Sequence, residues 1–538
     1  MQLGKKIIFY TVVMVVFLSS FSGCILNDLL FGTSFSLKAY VVCDDDGFAG
    51  LSSVFSATGT VTVKLFDPDG SLLDSELFLS GNNGAVFHLA PYKETVAPGQ
   101  YVLRAYDKND KEISEKPLSF KGPDLSITSC SQKWWRSWRG SYSLIGLTMK
   151  VRNSGDTPAY PYTTELNVDS KTYSGYILPV VILPNEIKNI DCSIYVDSVP
   201  KDSTFSASLK LNDALGNTLT SDSFSVAPEN NVSTKEFKWR YGDDRNLRLP
   251  CPEFLFDYYV GVNRTLEEDY SLYVFDPYDD SYIDLVVDQL MFVCGEENDV
   301  GKINFVASFV QSLDYKLDSS TNDSFEYPSY PVETLFNGDK GGGDCEDKAI
   351  LTASILDQMG YDVALFRFLK HMAVGVELIG TLPECPECEH YIGNYYFLET
   401  TANGAFLGGD AGAYKSPSNL SVYPISSRPL LFHNWKNNSL TIFTNTELGD
   451  FVKITLIVEN LGSAEAENVL VKGDFYTENG LEFNAKTAII TSLKPMMKEE
   501  ITLTADIPKG VATCFRTRIY LDNEVVDDQE SNPDSPFP

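Results

Sequence analysis

The stretch that decides the reading is Gly341-Gly342-Gly343-Asp344-Cys345-Glu346-Asp347-Lys348-Ala349, a glycine run that leads straight into a helical pattern. After Cys345 the apolar residues Ala349, Ile350, Ala353, Leu356 and Met359 recur at helical spacing, and Gly360 is placed to cap the end. Cys345 then falls in the first turn, where free N–H groups and the positive end of the helix dipole are expected to favour a thiolate. Two strand-like runs follow. In Lys370 to Val376, His371 shares a face with Ala373 and Gly375; in Tyr395 to Thr401, Glu399 shares one with Phe397 and Tyr395. A thiol, an imidazole and a carboxylate in this order can form an activated nucleophile: the imidazole takes the thiol proton, and the carboxylate fixes the tautomer and stabilises the imidazolium. The plainer alternative is a buried structural cysteine with a core histidine nearby. The glycine run and the two strand faces favour the site. A phosphate-cradling loop is disfavoured, because no Gly-Lys-Ser/Thr follows the glycines.

These residues resemble the core of the transglutaminase-like superfamily. Gly343 to Ala349 match its G-D-C-E-D-x-A block, His371 matches the histidine of H-x-x-V-x-V, and Glu399 falls where many members carry Asp before x-T. Tyr330-Pro331-Val332-Glu333-Thr334-Leu335 and Phe309-Val310-Gln311-Ser312-Leu313-Asp314-Tyr315 resemble runs of an exported, largely archaeal branch. The resemblance implies an α+β papain-like core with Cys345, His371 and Glu399 as its triad. It also offers Gln311 as a side-chain donor to an oxyanion, beside the backbone N–H of Cys345; the alternative for Gln311 is a solvated helix face. It implies no cofactor. Two helices are expected ahead of the glycine run, from the spacing of Ile283, Val286, Val287 and Leu290 and of Phe305, Val306, Phe309, Val310 and Leu313.

Outward from this core, the 538 residues allow several domains. Lys5 and Lys6 precede an apolar run from Ile7 to Phe21 and then Ser22-Gly23-Cys24. That order reads as a lipoprotein-type signal peptide over 1–23 with Cys24 lipidated, followed by a linker over 24–34. An uncleaved anchor over 7–26 is the alternative. Either way the rest of the chain is expected at the cell surface, membrane-anchored and facing outside. Alternating runs such as Val61 to Phe66 and Gly99 to Ala105 predict a β-sandwich over 35–122. A second is expected over 123–228 and another over 429–528, with the catalytic domain over 229–428 and a tail over 529–538. The second and last share V-x-N-x-G-x-x-x-A, at Val151-Arg152-Asn153-Ser154-Gly155 with Ala159, and at Val458-Glu459-Asn460-Leu461-Gly462 with Ala466. That signature makes them candidate repeats resembling adhesion-like immunoglobulin modules, with an Asn-x-Gly turn that tolerates positive φ. The fold class expected is therefore an α+β papain-like core flanked by all-β sandwiches.

With 74 acidic against 42 basic side chains and a net charge of −32, nucleic acid is excluded as a partner. A protein or peptide substrate is expected instead. Asp44-Asp45-Asp46-Gly47 reads as an exposed turn before a calcium loop. Lys133-Trp134-Trp135-Arg136-Ser137-Trp138-Arg139 crowds three of the five tryptophans into seven residues. It is either a hairpin packed on its own sandwich or a loop that binds sugar, headgroups or an acidic neighbour. Cys385 and Cys388 with His390 favour a local disulfide or free thiols over zinc, since a fourth ligand is lacking. Cys130 with Cys192, and Cys251 with Cys294, are candidate disulfide pairs. Asn231, Asn263, Asn322, Asn419 and Asn437 begin N-x-S/T sequons. The function expected is a thiol enzyme acting on amide bonds, with hydrolysis preferred to cross-linking. The competing class is a surface binding or scaffold protein.

Overall fold

The computed structural model describes residues 35–538 apart from 169, 201–204, 265–268, 319–326, 380–381, 383–387, 416–419, 437–439, 447–448, 532–536 and 538. Cys24, Cys385, Asn322, Asn419 and Asn437 lie outside the described residues. No helix among the described residues is long and apolar enough to cross a membrane.

Strand alternation builds most of the molecule. Val61–Phe66 alternates buried and half-buried residues and pairs with Leu72–Phe78 and Gly99–Asp107, the latter with Glu112–Phe120. This sheet shares a core of Phe55, Val63, Phe87 and Leu103 with the sheet of Phe35–Cys43, Ala49–Ala57 and Gly81–His88. The same two-layer arrangement recurs around Met149, Leu166 and Leu209, and again around Ile454, Val471 and Phe515. Between these last two lie the hairpin Thr234–Tyr241/Asp243–Pro250 and six helices among the described residues: α1 Glu253–Gly261, α2 Leu272–Phe275, α3 Asp280–Cys294, α4 Asp299–Gln311, α5 Pro331–Phe336 and α6 Cys345–Gln358. An antiparallel four-stranded sheet follows, in the order Tyr395–Leu398, His371–Glu377, Val363–Phe368, Ser421–Pro424. Both helices expected from periodicity are present, as α3 and α4.

The fold class differs from expectation. The chain is mostly β, with 51% strand and 14% helix, and no α+β papain-like core is evident. The helical periodicity around Cys345 is real but local. The helices are few and mostly short, and they share one apolar core with the hairpin (Phe237, Trp239) and with Trp135 of the second sandwich.

Three further expectations are corrected. Cys130, Cys192, Cys251 and Cys294 are all free. Cys130 and Cys192 sit on the two outer strands of a three-stranded sheet, with Tyr142–Asn153 between them. Two strand spacings are about 10 Å, beyond the ~7 Å Cα limit for a disulfide. Cys251 follows Pro250, whose carbonyl accepts the Tyr282 hydroxyl at the start of α3, whereas Cys294 is the last residue of that helix. The Asp44 turn is not exposed: its side chain is 7% accessible and lies 3.1 Å from Lys436, joining the first sandwich to the last.

The repeated signature gives the same network twice. Asn153 donates to the carbonyls of Thr157 (2.9 Å) and Ile182 (3.0 Å), and accepts from the N–H of Gly155 (2.9 Å) and Asp124 (3.1 Å). Asn460 donates to Ala464 (2.8 Å) and Leu493 (2.9 Å), and accepts from Gly462 (3.0 Å) and Leu430 (3.1 Å). Neither Asn nor Gly in either copy has positive φ, so the turn chemistry expected is not the reason for them. Close approach is: a Cβ on Gly155 would lie 2.3 Å from the Gly122 oxygen, and one on Gly462 2.3 Å from that of Arg428. Each buried amide ties a strand end to two neighbouring segments. Asn460→Ala is expected to destabilise the C-terminal module by roughly 2–4 kcal/mol, because the backbone groups left behind lose their partners. The midpoint of its urea transition checks this, with Asn153→Ala expected to weaken the second sandwich alike.

Candidate active site

The glycine run is required by how closely three segments meet. Gly342 and Gly343 pair in parallel with Asp314 and Tyr315. Gly342 has φ +140, and a Cβ there would lie 2.1 Å from the Asp314 oxygen. A Cβ on Gly343 would lie 2.2 Å from Asp347 Oδ2. That carboxylate fills the space because it accepts the N–H of Asp344 (3.3 Å) and, through its other oxygen, the N–H of Ser329 (2.7 Å). The chain can therefore enter α6 directly, with Cys345 as its first residue.

His371 and Glu399 are in direct contact, and Cys345 opens the helix that packs on the strand of His371. The backbone N–H of Met372 acts to lower the Cys345 thiol, and Met372 follows His371 on the strand that α6 packs against. His371 Nε2 lies 2.8 Å from Glu399 Oε2. The other oxygen of Glu399 accepts the N–H (2.8 Å) and hydroxyl (2.5 Å) of Thr401. Burial acts to raise the Glu399 carboxyl, but the bonds from His371 and Thr401 outweigh it and hold the group at about 2. Tyr414 stacks on the imidazole, with centroids 4.6 Å apart and planes 15° from parallel.

The electrostatics of the thiol run against the expectation from its helix position. Burial pushes the Cys345 thiol up, and the carboxyls of Glu346 and Asp344 push it further, with the Met372 N–H a partial offset. The Cys345 S–H points at Glu346 Oε2, 3.1 Å away. Glu346 is itself 2% exposed and is raised by burial and by Asp344. Burial and the two carboxyls thus favour the thiol over the thiolate.

Gln311, at the end of α4, is 2% exposed, so the solvated-face reading fails. Its amide N–H groups donate to the carbonyls of Glu399 (2.8 Å) and Ala405 (3.0 Å), and its oxygen accepts the N–H of Gly404 (3.0 Å). Both amide hydrogens are engaged, leaving none for an oxyanion in this arrangement. Asn304, two helical turns earlier on the same face, accepts the N–H of Leu407 at 2.8 Å. Together the two amides hold the loop that follows Glu399. Sequence reading missed this role, and also Thr401, Tyr414, Glu346 and Lys348. Thr401 was legible as the second threonine after Glu399; Tyr414 stands alone in a glycine- and alanine-rich stretch and carries no signal.

Among the described residues, two sets of donor atoms lie within 4.8 Å of one another, Asp344/Cys345/Glu346 and Asp44/His88/Glu500. In the second, the Lys436 ammonium already lies 3.1 Å from Asp44 and 2.7 Å from Glu500, where a cation would sit. Cys388 is disulfide-bonded and so cannot serve zinc as a thiolate.

No protein-family model matches the chain. No curated protein matches it either. Among solved structures it is similar to red sea bream transglutaminase, at 10% identity and TM-score 0.19 over 71% of this chain and 79% of that one. It is also similar to the Amycolatopsis orientalis exo-chitosanase CsxA (9% identity, TM-score 0.16, 90% and 76%). The YadV chaperone matches at 12% identity and TM-score 0.13, over 36% of this chain and 99% of that one. Likenesses this slight carry no argument about fold or function.

Replacing Glu346 by Gln removes the carboxyl nearest the sulfur. The thiol should then ionise at lower pH, and iodoacetamide should label Cys345 at neutral pH about tenfold faster for each unit of downward shift. Labelling rates measured across pH in both proteins check this.

Proposed function

We propose that the chain is a thiol enzyme acting on amide bonds through Cys345, His371 and Glu399, with a protein or peptide substrate. The observation that supports it is the 2.8 Å His371–Glu399 pair on the sheet against which α6, opened by the half-buried Cys345, packs. Because the thiol is favoured over the thiolate, His371 acts as a general base during attack rather than as half of a standing ion pair. The sulfur bonds to the carbonyl carbon as its proton moves to the imidazole, and negative charge develops on the carbonyl oxygen. N–H groups at a helix start, such as that of Cys345, are donors of the kind that stabilise this charge. His371 then returns the proton to the leaving amine, and water, activated by the same imidazole, cleaves the thioester. Glu399 stays ionised and opposes the imidazolium charge throughout. An amine in place of water would give cross-linking; hydrolysis is our choice. A second reading, a surface binding protein in which this site only recognises, is favoured by the Glu346 carboxyl beside the sulfur.

Cys345→Ala should abolish turnover on a panel of peptide and glutamine substrates while leaving the melting temperature nearly unchanged. Turnover retained by that variant removes the thiol as nucleophile. Glu399→Gln should lower kcat by about 10²–10⁴, with Glu399→Asp less impaired. The pH sign follows from the depressed carboxyl. Its contribution is complete above the unfolded value near ~4.3 and is lost as pH falls through about 2. No acid limb between pH 4 and 6 should therefore trace to Glu399, which a kcat–pH profile checks.

We further propose that the chain is held at the cell surface, facing outside, by lipid on Cys24. Mass spectrometry of the mature N-terminus should find acylated Cys24. An intact Met1 on membrane-bound protein would mean an uncleaved anchor instead.

A further inference from the structure

The stretch Lys133 to Arg139 takes no part in the Cys345 site, and it divides into two sets of residues. Trp134 and Trp135 are 2% and 0% exposed, and the Trp135 indole N–H donates to Thr234 at 3.0 Å. Lys133 lies 3.9 Å from Asp191 and over the Phe254 ring; Arg139 lies 3.7 Å from Asp288 and over the Phe292 ring. Trp134 packs in the core of the second sandwich itself, and Lys133, Trp135 and Arg139 hold that sandwich to the helical segment. Trp138 and Arg136 do not. Trp138 is 48% exposed, and no carboxylate lies within ion-pair distance of Arg136 among the described residues.

Both line an open pocket of about 400 Å³ with Ser137, Asn230, Thr234 and Arg248. The Arg248 guanidinium stands 5.6 Å from the Trp138 ring centroid. Glu236 forms an ion pair with Arg248, 3.5 Å from its Nε, without a hydrogen bond there. In a chain of net charge −32, this is a pocket lined by two arginines and a half-exposed tryptophan.

We propose that this pocket binds the terminal carboxylated pyranose of an acidic saccharide. The volume falls within the ~300–1,000 Å³ of small-molecule sites. An indole face packs on the C–H face of a pyranose and remains solvated at its edge. A guanidinium fork matches a carboxylate in two parallel hydrogen bonds. The cations form a pocket and not a stripe, so they suit one carboxylate at a chain end. A membrane surface or a nucleic acid presents many charges, and the acidic surroundings repel these.

The test titrates the full chain by calorimetry, in about 0.1 M salt, with a glucuronic-acid-terminated trisaccharide and with its neutral glucose-terminated counterpart. The acidic sugar should bind, with the neutral one at least about tenfold weaker. Trp138→Ala and Arg248→Gln should each weaken binding about tenfold or more. Trp138→Phe should retain most of it, and Arg136→Gln, at an exposed position that leaves the fold intact, should weaken it. Equal affinity for the two sugars, or no binding of either, overturns the proposal. Binding of phosphatidylserine vesicles or DNA without binding of the acidic sugar also overturns it.

Discussion

The buried ammonium of Lys348 joins the two helices on which the candidate site rests. The residue is 1% exposed, and its Nζ donates to the carbonyls of Leu313 at 2.7 Å and Gln311 at 3.4 Å. Those carbonyls close the C-terminal end of α4, where a cation is favoured both by the unpaired oxygens and by the dipole. From there the contacts form a ring. Lys348 sits in the first turn of α6, whose first residue is Cys345; Gln311 holds the loop after Glu399; Glu399 holds His371; and the strand of His371 packs back on α6. Burial lowers the Lys348 ammonium, opposed by the charges of Asp314 and Glu399. Removing the side chain would leave the end of α4 unpaired inside the apolar core, which is a larger loss than one surface ion pair.

The same first turn of α6 carries three acids, and they pull in opposite directions. Asp347 is needed to receive Asp344 and Ser329, yet burial and the Asp344 charge raise it to about 8. Glu346 is raised as well, and it raises the thiol in turn. The helix dipole favours anions here, but its effect is of order 0.3–1 kcal/mol at exposed ends, smaller than the desolvation of several neighbouring carboxyls. This is why a cysteine at a helix start, read from sequence as a thiolate, is favoured as a thiol. Desolvation depends on which side chains close over the turn, and spacing along the chain does not encode that.

What was legible followed from periodicity and from steric demand. The 3.6-residue repeat marked α3, α4 and α6, and the alternation at Val61–Phe66 and Gly99–Asp107 marked their strands. The order of His371 and Glu399 on separate strand faces suggested the contact they make. The repeated Asn-x-Gly was visible as a pattern, but its cause was misread, because close backbone approach and positive φ both call for glycine. The balance of strand to helix was misjudged because the patterned helices are confined to residues 253–358, while strands build most of the chain on either side. Gln311 was placed correctly on a helix, and which partner its amide meets depends on how a loop ninety residues later returns to it.

The charge balance connects these local details to the assembly of the chain. Cations are scarce here, 42 against 74 acids, and many stand at junctions rather than on free surface. Lys436 meets Asp44, Asp46 and Glu500 where the first sandwich touches the last, and Lys453 meets Glu76 across the same junction. Lys235 donates from the hairpin to the carbonyls of Leu335 (2.9 Å) and Gly338 (2.6 Å) just ahead of the glycine run. Arg428 reaches Asp269 at 2.5 Å, and Arg264 reaches Glu333 at 2.5 Å. In a strongly acidic chain, segments repel one another unless a cation lies between them, so the positions of lysine and arginine select which surfaces dock. Arg136, exposed and without a carboxylate at ion-pair distance among the described residues, is against that background a departure from how this sequence uses its basic residues.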